Sequence, residues 1–334
     1  MVKPENVKGK RLKKTAKELF VRGTGIEPYR LFARKENLLN NLEALIQFRR
    51  PIFHWLTIET STYCNRKCHA CPVSTSPRNK LYMPENMFMK IVGDLVRMKF
   101  TGIIHLHLFN EPLADKTIFE KVKILSNKLP MAQIKMNSNG DFLTNKLLSK
   151  LALAGLDELY ITQYDGEVTK RTLEVLAKAS DAEKDVLTVR VKSNFVGNRA
   201  GLLNNVVVEE PILADCNRPS HQLIINCSGD IVICCNDYFG KVVFGNVTEN
   251  GLLDIWRSEQ FESIRRLLRM RKRNKIELCK SCNFFGDIYG CRDLTSGQIN
   301  AFNKIVRQRN TMNRIVPHLL MNSLDRLRMH KLLT

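Results

Sequence analysis

Residues 54–71 run His54-Trp55-Leu56-Thr57-Ile58-Glu59-Thr60-Ser61-Thr62-Tyr63-Cys64-Asn65-Arg66-Lys67-Cys68-His69-Ala70-Cys71, an apolar run that ends in three cysteines spaced C-x3-C-x2-C. The first seven residues read as a strand, because β-branched and aromatic residues recur among them. The cysteines then fall on the loop that follows it. Three thiolates so close in the chain can hold three irons of a cubane [4Fe–4S] cluster and leave the fourth iron open. Zinc is the rival reading. It wants four ligands, commonly in pairs separated by larger loops, and His69 between two of the cysteines is the one further donor at hand.

Working outward, the chain alternates. Strands are predicted at 103–109, 133–137, 158–162 and 186–192, and helices at 86–98, 118–129, 145–154 and 170–179. Strand–helix alternation over this length predicts a parallel α/β sheet or barrel, whose active site gathers at the C-terminal ends of the strands. Each strand end carries polar residues: Asn110 and Glu111, then Ser138, Asn139 and Gly140, then Thr162 to Asp165. After Pro211 the alternation stops. Residues 222–226 and 230–234 flank Cys227-Ser228-Gly229 as a hairpin, and 252–270 reads as one helix with a basic face. Residues 1–50 read as helical around Leu12, Leu19 and Phe20, then Leu38, Leu39, Leu42, Leu45 and Ile46, and 297–334 as terminal helices.

The 334 residues suit about two domains. At 44% hydrophobic and 26% charged, the composition excludes wholesale disorder. No stretch is apolar enough for a membrane span, and the basic N-terminus lacks the apolar core of a secretory signal, so a cytoplasmic location is expected. The net charge of +20 is uneven: residues 1–50 carry +8, 257–334 carry +11, and 51–256 only +1. Basic flanks of this kind are ordinarily solvated surface. They are also suited to an anionic membrane surface, nucleotide sugar, nucleic acid or other polymer. Ten cysteines in a cytoplasmic chain point to metal or redox chemistry rather than disulfides.

C-x3-C-x2-C after a first strand resembles the defining motif of the radical SAM superfamily. The resemblance implies a partial (β/α)6 TIM-type barrel over residues 51–210; residues 1–50 read from their own pattern and charge as a basic helical extension. It implies that Cys64, Cys68 and Cys71 bind a [4Fe–4S] cluster whose open iron is chelated by S-adenosyl-L-methionine (SAM). Reductive cleavage of SAM would then give a 5′-deoxyadenosyl radical. Phe109-Asn110-Glu111-Pro112 is similar to the Gly-Gly-Glu-Pro segment that receives the methionine amino group, with both glycines replaced. Ser138 and Asn139 match the ribose-contacting segment, and Thr162 stands where the family often has serine. Ala70 stands where the family is commonly aromatic.

Cys216, Gly229-Asp230-Ile231-Val232, Cys234-Cys235-Asn236-Asp237, Phe244-Gly245-Asn246-Val247 and Cys279-x2-Cys282 resemble the twitch form of the SPASM domain, a small α+β auxiliary-cluster module expected at 211–295, followed by basic helices at 296–334. The resemblance implies one auxiliary [4Fe–4S] cluster on Cys216, Cys234, Cys279 and Cys282; zinc on the same set is the alternative. Cys227, Cys235 and Cys291 are then spare, as packed residues or as hydrogen donors, with Cys235 the donor candidate. Arg199, in Gly197-Asn198-Arg199-Ala200-Gly201, is placed by the fifth strand near the barrel top, where it can hold a hydroxyl, carboxylate or phosphate, or else sits in a flexible connection.

Enzymes with a twitch module include a dehydrogenase of a cyclitol alcohol, so oxidation of a sugar-like or cyclitol carbon is the leading expectation. The chemistry also implies a one-electron reductant such as flavodoxin or ferredoxin. A radical SAM epimerase or peptide-modifying enzyme with a cysteine donor is the alternative. A basic, metal-containing nucleic-acid-binding protein is the third.

Overall fold

The computed structural model describes residues 52–191, 197–286 and 293–312, with side chains of the last segment to residue 307. The expectations for 1–50, for Cys291 and for the chain beyond 312 lie outside the described residues. The core is one eight-stranded sheet, ordered β5-β4-β3-β2-β1-β6-β7-β8. Its strands are β1 (Trp55–Ile58), β2 (Ile103–His105), β3 (Gln133–Ser138), β4 (Glu158–Gln163), β5 (Leu187–Val191), β6 (Gln222–Ile225), β7 (Asp230–Val232) and β8 (Val243–Asn246).

Strands β1 to β5 are parallel neighbours, joined by helices α1 (Glu85–Arg97), α2 (Ile118–Lys128), α3 (Asn145–Ala154), α4 (Lys170–Lys178) and the short α5 (Asp181–Lys184). One face of the sheet is apolar. Leu56, Ile58, Ile104, Ile134, Met136, Leu159 and Ile161 are buried there, as are Phe88, Ile91, Val92 and Leu95 of α1 at the three-and-four spacing of a helix stripe. The other face is polar: in-register neighbours Thr57, His105, Lys135 and Glu158 run across it. Lys135 pairs with Glu158 at 2.9 Å.

The sixth parallel strand differs from a sixth βα repeat. β6 pairs with β1 on its free side, Trp55 beside Gln222 through Ile58 beside Ile225. It then turns back antiparallel into β7 and β8. The barrel half therefore contributes five strands, and the first strand of the C-terminal module supplies the sixth. Helices α6 (Arg218–His221), α7 (Leu252–Arg257), α8 (Glu259–Arg269), α9 (Glu277–Lys280) and α10 (Ser296–Met312) complete the described chain.

The single helix expected over 252–270 is two. Ser258 takes an extended conformation between them, and its hydroxyl oxygen accepts from Phe261 N at 3.3 Å, capping α8. No described helix is long and apolar enough to cross a membrane.

Candidate active site

The site forms where the C-terminal ends of β1 to β4 meet the cysteine loop. Glu111, after β2, is buried, and its carboxylate accepts three hydrogen bonds: from Ser138 Oγ (2.7 Å), Leu113 N (2.9 Å) and Asn139 N (2.8 Å). Burial pushes its carboxyl up, and those donors pull the other way. Among the described residues no cation pairs with it. A buried carboxylate without a counter-charge is a receptor for an ammonium. Asn110 shapes this corner from its own turn, accepting from Leu108 N and donating to Thr60 Oγ1.

Asn139 reaches back to the cysteine loop, donating to Asn65 Oδ1 at 2.9 Å. Gly140, at φ 83°, gives the turn its left-handed residue; a Cβ there would stand 2.9 Å from Ile161 Cγ2. Thr162 is buried at the end of β4. Beside it Gln163 donates to the Asn139 carbonyl at 3.1 Å, while its Oε1 has no partner.

Two clamps that the sequence reading missed fix the cysteine loop. Arg66, between the first two cysteines, grips Asp141 through Nε and Nη2, both at 2.6 Å, and reaches Asp165 at 2.9 Å. Under the loop, Glu59 receives Arg78 at 2.5 and 3.0 Å and the backbone N–H groups of Phe109 and Cys227 at 3.3 Å. The signal for Glu59 was present: it continues the Trp55, Thr57 alternation onto the polar face.

The nine described cysteines are all free. Cys68 and Cys71 lie close enough to raise the Cys64 thiol, and Cys71 that of Cys68. Burial pushes Cys64 up to about 11 and raises the other two, so thiolates here need the field of a bound cation. Cys64 and Cys71 pack against buried Val73, Phe109 and Tyr238.

In the C-terminal module, Cys216, Cys234, Cys279 and Cys282 form one interacting set, raised chiefly by burial where a shift is resolved. Among the described residues no three His, Cys, Asp or Glu side chains converge as one metal ion requires. Both sets offer cysteine thiols alone as donors, the ligand set of an iron–sulfur cluster.

Arg199 lies between the two sets. It donates to Ala70 O, next to Cys71, and to Asn236 Oδ1, two residues past Cys234, both at 3.4 Å. Asn236 in turn donates to Cys282 Sγ at 3.8 Å. The flexible-connection reading of 197–201 does not fit. Asn198 and Asn283 exchange side-chain and backbone hydrogen bonds, and Asn198 Nδ2 donates to Ser281 O at 2.7 Å. Arg199 and Ala200 are both left-handed, at φ 50° and 55°. Such strain costs about 1–3 kcal/mol per residue and persists where surrounding contacts enforce it. Cys235 accepts from Arg218 Nη1 at 3.0 Å. Cys227 is buried beside Glu59, its thiol pushed up to about 12 by burial.

Two family models match the chain: the radical SAM superfamily over residues 58–189 and the SPASM iron–sulfur cluster-binding domain over 216–283. The chain is 31% identical over 234 residues to the S-adenosyl-L-methionine-dependent 2-deoxy-scyllo-inosamine dehydrogenase of Niallia circulans, a match covering 70% of this chain and 93% of that protein. Among solved structures it is similar to BtrN in complex with AdoMet and 2-DOIA, at TM-score 0.66 and 30% identity over 74% of this chain and 98% of that one. It is also similar to a selenomethionine form of BtrN in an open conformation, at TM-score 0.56 and 27% identity over 70% and 92%.

Proposed function

The chain belongs to the radical SAM superfamily and carries a SPASM cluster-binding module, and on that premise we propose that it oxidises a secondary alcohol of a cyclitol or sugar-like small molecule to the ketone. It is an enzyme whose cofactors are SAM, a [4Fe–4S] cluster and an auxiliary iron–sulfur cluster. When bound, these supply a 5′-deoxyadenosyl radical and an acceptor for one electron. The observation that carries the reading is Arg199, reaching toward both cysteine sets at once. The 31% identity to a dehydrogenase of 2-deoxy-scyllo-inosamine supports the substrate class.

In this reading Cys64, Cys68 and Cys71 hold the first cluster, and Glu111 receives the SAM ammonium with its carboxylate aimed by Ser138 and Asn139. Asn110 and Thr162 shape the same cofactor pocket. Cys216, Cys234, Cys279 and Cys282 hold the auxiliary cluster. Val73, Phe109 and Tyr238 cover one side of Cys64 and Cys71. Arg199 holds the substrate hydroxyl. A guanidinium cannot take up a proton, so it polarises the hydroxyl and the proton leaves to solvent. The balance closes: alcohol and SAM give ketone, 5′-deoxyadenosine, methionine and a proton, with the priming electron matched by the one released. A flavodoxin- or ferredoxin-type donor fits the priming step. A cytoplasmic setting supports it, because it keeps thiols reduced.

The test is turnover in heavy water with 2-deoxy-scyllo-inosamine and a panel of cyclitols and sugars. Oxidation gives one 5′-deoxyadenosine per ketone and no deuterium on carbon. Deuterium on an inverted carbon, abolished by Cys235→Ala, would replace this reading with epimerisation.

A further inference from the structure

Arg273 is 1% exposed, and its guanidinium donates only to main-chain carbonyls: Ala214 (3.0 Å), Phe284 (2.7 Å), Phe285 (2.8 Å) and Asp215 (3.1 Å). Among the described residues no carboxylate pairs with it. Burying a full positive charge against dipoles alone is strongly unfavourable; a buried charge calls for an opposite one. The four carbonyls take up four of the guanidinium's five N–H donors but leave its charge unanswered.

Those carbonyls mark where the charge lies. Asp215 precedes Cys216, and Phe284 follows Cys282 by two residues. Gly286 closes the same corner at φ 109°. A Cβ there would stand 2.2 Å from Asp215 O and 2.7 Å from Arg273 Nη2, so no side chain fits between them. A second guanidinium enters from α6. Arg218 is 8% exposed, lies 3.4 Å over the Phe284 ring and donates to Cys235 Sγ. Between them the two charges act on Cys234, Cys279 and Cys282.

We propose that Arg218 and Arg273 are positioning residues for electron transfer: built-in counter-charges of the auxiliary cluster that raise its reduction potential so that it accepts the substrate electron. This rests on the alcohol-oxidation reading above. A cluster on four thiolates is an anion, and one-electron reduction adds a further negative charge. Fixed positive charges in a low-dielectric surround therefore stabilise the reduced form more than the oxidised one. Arginine stays charged at all working pH, so the effect does not titrate away. The electron balance is simple. The carbinol hydrogen atom goes to the 5′-deoxyadenosyl radical, the hydroxyl proton goes to solvent, and the remaining electron reduces the auxiliary cluster. A one-electron carrier protein later removes it.

The experiment is an EPR-monitored redox titration of the full-length, anaerobically reconstituted protein as Arg218→Gln and Arg218→Lys. Added SAM perturbs the signal of the first cluster and leaves the auxiliary signal to be followed. Arg218→Gln should lower the equilibrium constant for one-electron uptake about tenfold, about 59 mV in potential; Arg218→Lys, which keeps the charge, should recover most of that. An unshifted Arg218→Gln potential with the cluster intact overturns the proposal. So does an Arg218→Lys potential as low as that of Arg218→Gln, because geometry rather than charge would then matter. If Arg218→Gln loses the auxiliary iron, retention in Arg218→Lys supports the counter-charge and loss in both overturns it. A shifted potential without ketone formation would sink the alcohol oxidation alone. Ketone formation with an unshifted potential would sink the counter-charge alone.

Discussion

Glu59→Gln replaces one carboxylate oxygen by an amide nitrogen and changes almost nothing in size. All four hydrogen bonds at that carboxylate come from donors: two from Arg78 and one each from the Phe109 and Cys227 backbones. The new NH2 therefore faces a donor whichever way it turns, and Arg78 loses its counter-ion. Removing one partner of a buried pair costs about 3–5 kcal/mol. Glu59 is fully buried, but Arg78 keeps 19% of its side chain exposed and lies 4.4 Å over Tyr238. The lower end, about 3 kcal/mol, is therefore expected. For a body of this size that is a fall of about 4–5 °C in apparent Tm. The assay is anaerobic thermal unfolding at one scan rate, with iron content checked in each sample. Adding Arg78→Met should restore at least half the loss, because the uncompensated charge goes with it. A fall under about 2 °C in the single variant, or no recovery in the double, would refute the reasoning.

Other outcomes follow from the same geometry. Reconstituted protein should carry about eight irons, and Cys64, Cys68 and Cys71 changed together to Ala should leave about four; no remaining iron would mean the two sets do not load separately. Glu111→Gln should weaken SAM binding about ten- to a hundredfold, read from the SAM-induced change in the EPR signal, because a charge-assisted contact becomes a neutral one. Arg66 holds the Asp141 carboxyl below its usual range. The latch is thus fully present above the unfolded carboxylate value near 3.9 and is lost as pH falls through the lower folded one. Both partners keep some solvent exposure, so Asp141→Asn at neutral pH should cost no more than about 1 kcal/mol and should loosen the first cluster rather than the second, seen as faster loss of that signal in air.

What the chain discloses in advance is what it encodes locally. Helix α3 spans the expected 145–154 because Thr144 caps one end and Gly155, at φ 97°, stops the other. The join at Ser258 was hidden because apolar positions continue on both sides, from Leu252 through Leu268. Cys64, Cys68 and Cys71 are legible because a single loop holds them. The second set draws on residues as far apart as Cys216 and Cys282, and only its resemblance to a known module brought it together. The Glu59–Arg78 and Arg66–Asp141 clamps join segments that meet only after folding. Arg273 stands in Arg271-Lys272-Arg273-Asn274-Lys275, which by composition is an ordinary solvated basic run; nothing local marks its middle arginine as buried.

The pairing of β1 with β6 has a consequence for how the polypeptide is made. Residues 55–58 emerge long before residues 222–225, their partner on one side. Until that segment arrives, β1 is a bare edge with unsatisfied N–H and C=O groups, the kind of edge on which chains aggregate. The nascent first half thus has no finished sheet on which to seat its cysteine loop, and Glu59 still lacks the Cys227 N–H. A gene split between the two cysteine-bearing halves should yield an insoluble first fragment, and productive loading of the first cluster should wait until residues 222–227 have been made.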